Sequence, residues 1–180
     1  MRPWLVWSIG VGLLLAAWGV VQLTPDDDDA QKPFVIPVAV GETAVGRAFE
    51  ITVTDARIGD RAVSGGWHAD GTWLVIDLEA SARGEETGAR LNHAAFVVDG
   101  ATYRASERPE SFFESALSVD IPRTGSIAFE LPESLADASG VLQLALDGET
   151  RLDSLVEVPL DLGGLGSTTE VELLREGWAP

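Results

Sequence analysis

The sequence contains no cysteine, which removes disulfides, thiolate metal sites and a cysteine nucleophile together. Stability must then come from packing. Histidine is almost as scarce: His68 and His93 are the only two, both beside polar connections. Neither sits in the His-x-x-x-His or His-Glu-x-x-His spacing that holds zinc. Lys32 is the only lysine among 12 basic residues, set against 29 acidic ones. The net charge of −17 and the pI near 4.2 make contact with nucleic-acid phosphates or anionic lipid headgroups repulsive, so no nucleic-acid partner is expected.

Reaction motifs are missing too. There is no Gly-x-Ser-x-Gly, and Ser111 and Ser115 flank Phe112-Phe113 in what reads as a loop, not on the strained turn that presents a serine nucleophile. Gly163-Gly164-Leu165-Gly166 has no Lys-Ser/Thr behind it and is no phosphate loop. Carboxylate pairs such as Asp77 with Glu79 and Glu85 with Glu86 are what so acidic a chain produces by coincidence. No catalytic, cofactor-binding or metal-binding residue is assigned, and no enzyme is expected.

What is present begins with a membrane signal. Trp4 to Leu23 carries no charge and, as a helix, is long enough to cross a hydrocarbon core of about 30 Å. Residues 1–23 are therefore expected to form an uncleaved transmembrane anchor. Arg2 precedes the run and Asp26 to Asp29 follow it, which places the N-terminus in the cytoplasm and the rest outside. The competing signal peptide has a shorter apolar region and a small-x-small cleavage site, which is not found here. Residues 24–37, with four aspartates and Pro25, Pro33 and Pro37, read as an extended acidic linker. A bare aspartate run lacks the turn and carbonyls that a calcium site needs.

The signals over residues 38–162 are those of an all-β domain. In Thr72 to Ala82, Leu74, Ile76 and Leu78 alternate with Trp73, Val75, Asp77 and Glu79, the period-two pattern of a central strand with one buried and one wetter face. Truncating Asp77 is accordingly expected to cost far less than truncating Ile76 or Phe129. Phe49, Ile51 and Val53 mark an earlier strand from about Thr43 to Ile58, Val38 to Val40 a short edge piece, and Gly59 to Gly71 a glycine-rich loop. Phe96 and Val98 lead into Asp99-Gly100, a dipeptide suited to a hairpin turn, with Ala101 to Ala105 returning. Ile127, Phe129 and Leu131 form one strand face, followed by a helical turn over Glu133 to Ala138. Leu142, Leu144 and Leu146, then Val156, Val158 and Leu160, make two more. About seven short strands at this spacing favour an immunoglobulin-like β-sandwich.

The order of these elements resembles the telokin-like immunoglobulin-fold domain found in bacterial membrane-anchored and lipoprotein surface proteins. The resemblance covers about Gly41 to Leu160. It lies in Ile51 to Asp55, in Trp73 to Leu78, in the hairpin Phe96 to Tyr103 and in Gly125 to Pro132. Ser81-Ala82-Arg83 stands where the family carries an asparagine after the central strand. The resemblance implies an extracytoplasmic immunoglobulin-like fold and no established chemistry.

Two features remain. Trp67, Phe112 and Phe113 fall in loops and, if these meet at one end of the sandwich, form an aromatic patch for an envelope-protein partner; the competing reading is that each covers the open end of the core. Residues 163–180 form a hinge and a tail, read either as an added edge strand anchored by Trp178 or as a helix. The expected function is a membrane-anchored, non-catalytic binding or accessory module of the bacterial envelope. The alternative is a small envelope hydrolase or calcium-dependent enzyme whose site forms only in three dimensions.

Overall fold

The computed structural model describes residues 3–23, 31–84 and 88–179. Arg2, the Asp26 to Asp29 run and the Glu85-Glu86 pair lie outside the described residues. The chain divides into two units, Met1–Lys32 and Pro33–Pro180.

The first unit contains helix α1 (Pro3–Leu23), which has no charged residue. Among the described residues no helix is long and apolar enough to cross a membrane. The expected span is thus a helix whose crossing of the bilayer has no independent support.

The second unit is a sandwich of two sheets. One has the order β1 (Phe34–Pro37), β9 (Ser154–Asp161), β8 (Ser139–Ala145), β5 (His93–Val98), β6 (Ala101–Arg104). The other centres on β3 (Phe49–Ser64), β4 (Trp67–Ala82) and β7 (Arg123–Leu131) in that order. Its free edge on β3 is lined by β2 (Thr43–Val45), β10 (Ser167–Thr168) and β11 (Val171–Glu172), and its edge on β7 by β12 (Gly177–Trp178). A 3₁₀ turn (Glu133–Leu135) follows β7, and a short helix α2 (Leu162–Leu165) follows β9. β1 begins inside the segment expected to be linker, because Phe34 to Pro37 pair in parallel with Ser154 to Glu157. The Asp99-Gly100 turn forms where expected, with both residues at positive φ, 50° and 77°, which the short Asp side chain and glycine tolerate.

Between the sheets lies the main core. Leu74, Ile76 and Leu78 from β4, Ile127 and Phe129 from β7, Leu142 and Leu144 from β8, and Val156 and Val158 from β9 are buried within it. These are the apolar sides of alternating strands, so the inward register read from the pattern holds.

The opposite face of β4 differs from expectation. Trp73 and Val75 are fully buried, and Asp77 is 6 % exposed. Trp73 and Val75 belong to a second core with Ala62, Ala69, Ala128, Val171 and Leu173, against which Trp67 packs. Two elements cover this face. One is the stretch Gly59 to Gly71, which is the outer half of the β3–β4 hairpin turning at Gly65-Gly66, not a loop. The Trp67 and Trp73 rings meet edge to face at 5.6 Å, a separation that a straight strand of roughly 3.3 Å per residue does not allow, so the hairpin bends back. Register shifts between Val53 and Asp55 and between Gly59 and Arg61 supply bends, as bulges do.

The second cover is the tail. β10 and β11 run parallel to β3, and β12 runs antiparallel to β7. Between them Leu173 donates its N–H to the Val63 carbonyl, and Leu174 donates to Ser126 Oγ. Tail backbone passes so close to Gly59 that a Cβ there would lie 2.8 Å from the Thr168 carbonyl oxygen.

Ile76→Ala and Phe129→Ala should each lower stability by about 2–5 kcal/mol, through lost transfer energy and the cavity left behind. Urea unfolding of each variant measures it, and a loss below about 1 kcal/mol at both sites would mean that these side chains do not pack as described.

Candidate functional site

Three groups of residues have the polarity or exposure to act: a buried ionic node on β4, a cleft beside the tail, and the outer face of the five-stranded sheet. In the first, Asp77 sits mid-strand, opposite Ser126 on β7. Arg57 from β3 donates from one Nη to both Asp77 oxygens at 2.6 Å, and Ser126 Oγ donates to the same carboxylate at 2.5 Å. The other Nη of Arg57 reaches the Glu172 carbonyl at 3.1 Å, and Ser126 Oγ accepts the Leu174 N–H at 2.7 Å. Both Asp77 oxygens are satisfied inside the fold, while the Arg57 side chain, 31 % exposed, reaches toward Asp55 at the surface. The node is a clamp that holds residues 172–174 across the sheet. Charge led to a solvated reading of Asp77; burial reverses it.

The cleft, of about 400 Å³, is lined by Ser64, Gly65, Glu110, Ser111, Arg123, Arg175 and Glu176. Arg123 forms an ion pair with Glu176, donates to the Ala116 carbonyl at 2.5 Å and stacks over the Trp178 ring at 5.2 Å. Ser64 Oγ is spent on the Glu110 carbonyl at 2.8 Å, and Ser111 Oγ accepts the Phe113 N–H at 3.3 Å. Neither histidine lines the cleft, whose carboxylates are Glu110 and Glu176, and Glu176 accepts from Ser115 Oγ at 3.0 Å. Such a lining can hold polar groups of either sign.

The histidines lie in strands instead of connections. His68 is exposed on β4, opposite Val63. His93 is half-buried on β5, with Nε2 buried and lacking a partner. Burial, and secondarily the Arg104 charge, push its pKa below the ordinary 6.5, while a hydrogen bond with Gln143 opposes the shift. Gln143 in turn donates to Glu157 at 2.9 Å, giving a polar row on the outer face of this sheet. Among the described residues no group of three or more His, Asp or Glu is placed to hold a metal ion.

The three expected contact aromatics do not form one patch. Phe112 is fully buried in the main core, where glycine at position 125 makes room: a Cβ there would sit 2.8 Å from the ring. Phe113 packs partly buried against that core, and Trp67 against the second one, under the Arg108 guanidinium at 5.8 Å. Arg108 also covers Trp73 at 5.7 Å and pairs with Glu130 at 2.7 Å.

No protein-family model matches the chain, and no curated protein matches it. Among solved structures, an uncharacterised β-sandwich protein from Clostridium difficile 630 is similar, with a TM-score of 0.47 at 12 % identity. The match covers 74 % of this chain and 99 % of that one. A candidate lipoprotein from Staphylococcus aureus gives 0.47 at 11 % identity, covering 74 % and 97 %. At that distance neither carries an argument, and the class stated here rests on the hydrogen-bonded ladders. The chain is a two-sheet β-sandwich protein preceded by an apolar helix.

Asp77→Ala should cost about 3 kcal/mol or more by urea unfolding, since it strands Arg57 and Ser126. A loss under about 1 kcal/mol, typical of an exposed pair, would show that the node is solvated. His93 contributes in the opposite sense to a paired histidine. Its folded pKa is depressed, so the unfolded chain takes up a proton that the folded one refuses, and stability falls as pH drops below 6.5. His93→Gln should flatten that part of the stability-versus-pH curve, and an unchanged slope would overturn the assignment.

Proposed function

We propose that the protein is a membrane-anchored, extracytoplasmic immunoglobulin-like module with an accessory or protein-binding role in the bacterial envelope. The observation that carries this reading is α1. Trp4, Trp7, Val11, Leu14 and Trp18 stand exposed along one side of it and Ile9 and Leu13 along the other, with no charge anywhere on the helix. A helix apolar on opposite sides favours an apolar surrounding, and the support for an anchor is the uncharged sequence run from Trp4 to Leu23. Arg2 before it and the aspartates after it favour an outward-facing sandwich.

The immunoglobulin-like assignment draws on strand order. β3-β4-β7 facing β9-β8-β5-β6 corresponds to strands A-B-E facing G-F-C-C′ in the immunoglobulin layout, and the β4–β5 and β6–β7 connections cross between the sheets as a Greek key requires. The telokin-like resemblance is compatible with this order. A non-catalytic role is favoured because the buried polar groups serve the clamp and the histidines stand apart from the cleft. Of the aromatics, Trp67 and Phe113 keep some exposure toward a partner; Phe112 does not.

With no native cysteine, one introduced thiol reports topology. Ser134→Cys, exposed after β7, should react with a membrane-impermeant maleimide in intact cells, and carbonate washing should leave the protein in the membrane. Labelling only after lysis would reverse the orientation. Recovery in the carbonate supernatant would remove the anchor.

A further inference from the structure

The cleft beside the tail is built from three segments: the β3–β4 turn with Ser64 and Gly65, the connection from β6 to β7 with Glu110 and Ser111, and the tail with Arg175 and Glu176. Hydrogen bonds hold all three. Ser64 Oγ donates to the Glu110 carbonyl at 2.8 Å, which ties the turn to the connection. Just before Arg175, Leu174 donates its N–H to Ser126 Oγ at 2.7 Å and accepts the Ser126 N–H at 3.3 Å. Just after it, Glu176 pairs with Arg123 and accepts from Ser115 Oγ at 3.0 Å. Walls fixed in this way lower the ordering cost of binding.

Inside these walls two charges are left over. The chain holds 29 acidic residues against 12 basic ones, and Arg57, Arg61, Arg83, Arg108 and Arg123 each pair with a carboxylate. Arg175 does not. Among the described residues its guanidinium has no hydrogen bond or ion pair, although Glu110 and Glu176 line the same cleft. A Cβ at Gly65 would lie 3.9 Å from one Arg175 Nη, so the side chain reaches over the turn where glycine leaves room. Glu110 gives its carbonyl to Ser64, and its carboxylate has no partner among the described residues. Ser111 Oγ accepts the Phe113 N–H and keeps its own proton to donate.

The cleft thus offers an unmatched cation, an unmatched anion and a hydroxyl donor in about 400 Å³, within the size range of small-molecule sites. No aliphatic or aromatic residue lines it, so a bulky apolar ligand gains little there. A simple anion would satisfy Arg175 but has to approach a chain of net charge −17 with two carboxylates in the lining. A simple cation would leave Arg175 unmatched and be repelled by it. A molecule with both charges answers both groups and carries no net charge into the acidic field. We infer that the cleft binds a small zwitterion, an amino acid or short peptide whose carboxylate meets Arg175 and whose ammonium meets Glu110. The guanidinium fork suits a carboxylate through two parallel N–H bonds. The inference goes beyond the envelope role proposed above and does not depend on the anchor.

Equilibrium dialysis of the full chain in detergent against radiolabelled glycine, alanine and glycylglycine measures the binding, with acetate and methylamine as single-charge probes. At least one zwitterion should saturate a single site below about 10 mM, and acetate and methylamine should bind at least about tenfold more weakly. Arg175→Gln and Glu110→Gln, both at exposed positions, should each weaken the zwitterion by about the same factor and leave the urea midpoint at its wild-type value. Arg175→Lys should fall between wild type and Arg175→Gln, since the charge remains and the fork is lost. No saturation by any of the three zwitterions, or unchanged binding in both glutamine variants, would overturn the inference. Acetate or methylamine binding as tightly as the zwitterion would overturn it too, by assigning a site for one charge alone. None of these outcomes bears on the anchor or on the orientation of the domain, which the maleimide and carbonate experiments read separately.

Discussion

A carboxylate in the middle of a central strand has to be matched inside the protein, and the arrangement of the outer sheet face follows from how Asp77 is matched. Arg57 and Ser126 satisfy it from the two flanking strands, and each then spends its remaining capacity on the backbone of residues 172–174. Charge and cover are thereby one device. The tail, which packs through Val171 and Leu173, is registered by these directional bonds, and in turn it helps to bury Asp77. Removing either half exposes the other, which is the situation in which a buried pair matters most.

The consequence is a sandwich with unequal outer faces. On the β3–β4–β7 side the bent hairpin and the tail add a second apolar layer over Trp73 and Val75. On the other side His93, Gln143 and Glu157 lie in an open polar row. The sandwich thus has one face covered by a second layer and one polar face, with exposed apolar side chains such as Phe34, Ile121, Leu174 and Trp178 outside both cores.

Much of the inward packing was legible in the sequence, because period-two alternation states which residues share a face. It does not state whether the other face is covered. Trp73 and Val75 were apolar on the supposedly wet side, and that was the available signal for a second layer. Asp77 between them argued for water and prevailed, since its partners sit far away in sequence, Arg57 on β3 and Ser126 on β7. The glycines of Gly59 to Gly71 read as a loop, although Gly65-Gly66 with Val63 and Trp67 around it has the form of a hairpin turn. Phe112 looked exposed between serines, and only the gap left at Gly125 shows why it can be buried. Bulges at Thr54 and Asp60 left no trace in the pattern.

The clamp joins residues that are 115 positions apart, Arg57 and Glu172. Contacts this distant close large loops and slow the search for the native topology. As the chain emerges in order, β3, β4 and β7 can pair before residues 171–178 exist outside the ribosome, and until then Trp73, Val75 and Ala128 form an uncovered apolar strip. A chain in that condition is complete in its central strands and unfinished on its outer face, so the last few residues to be made decide when the fold closes.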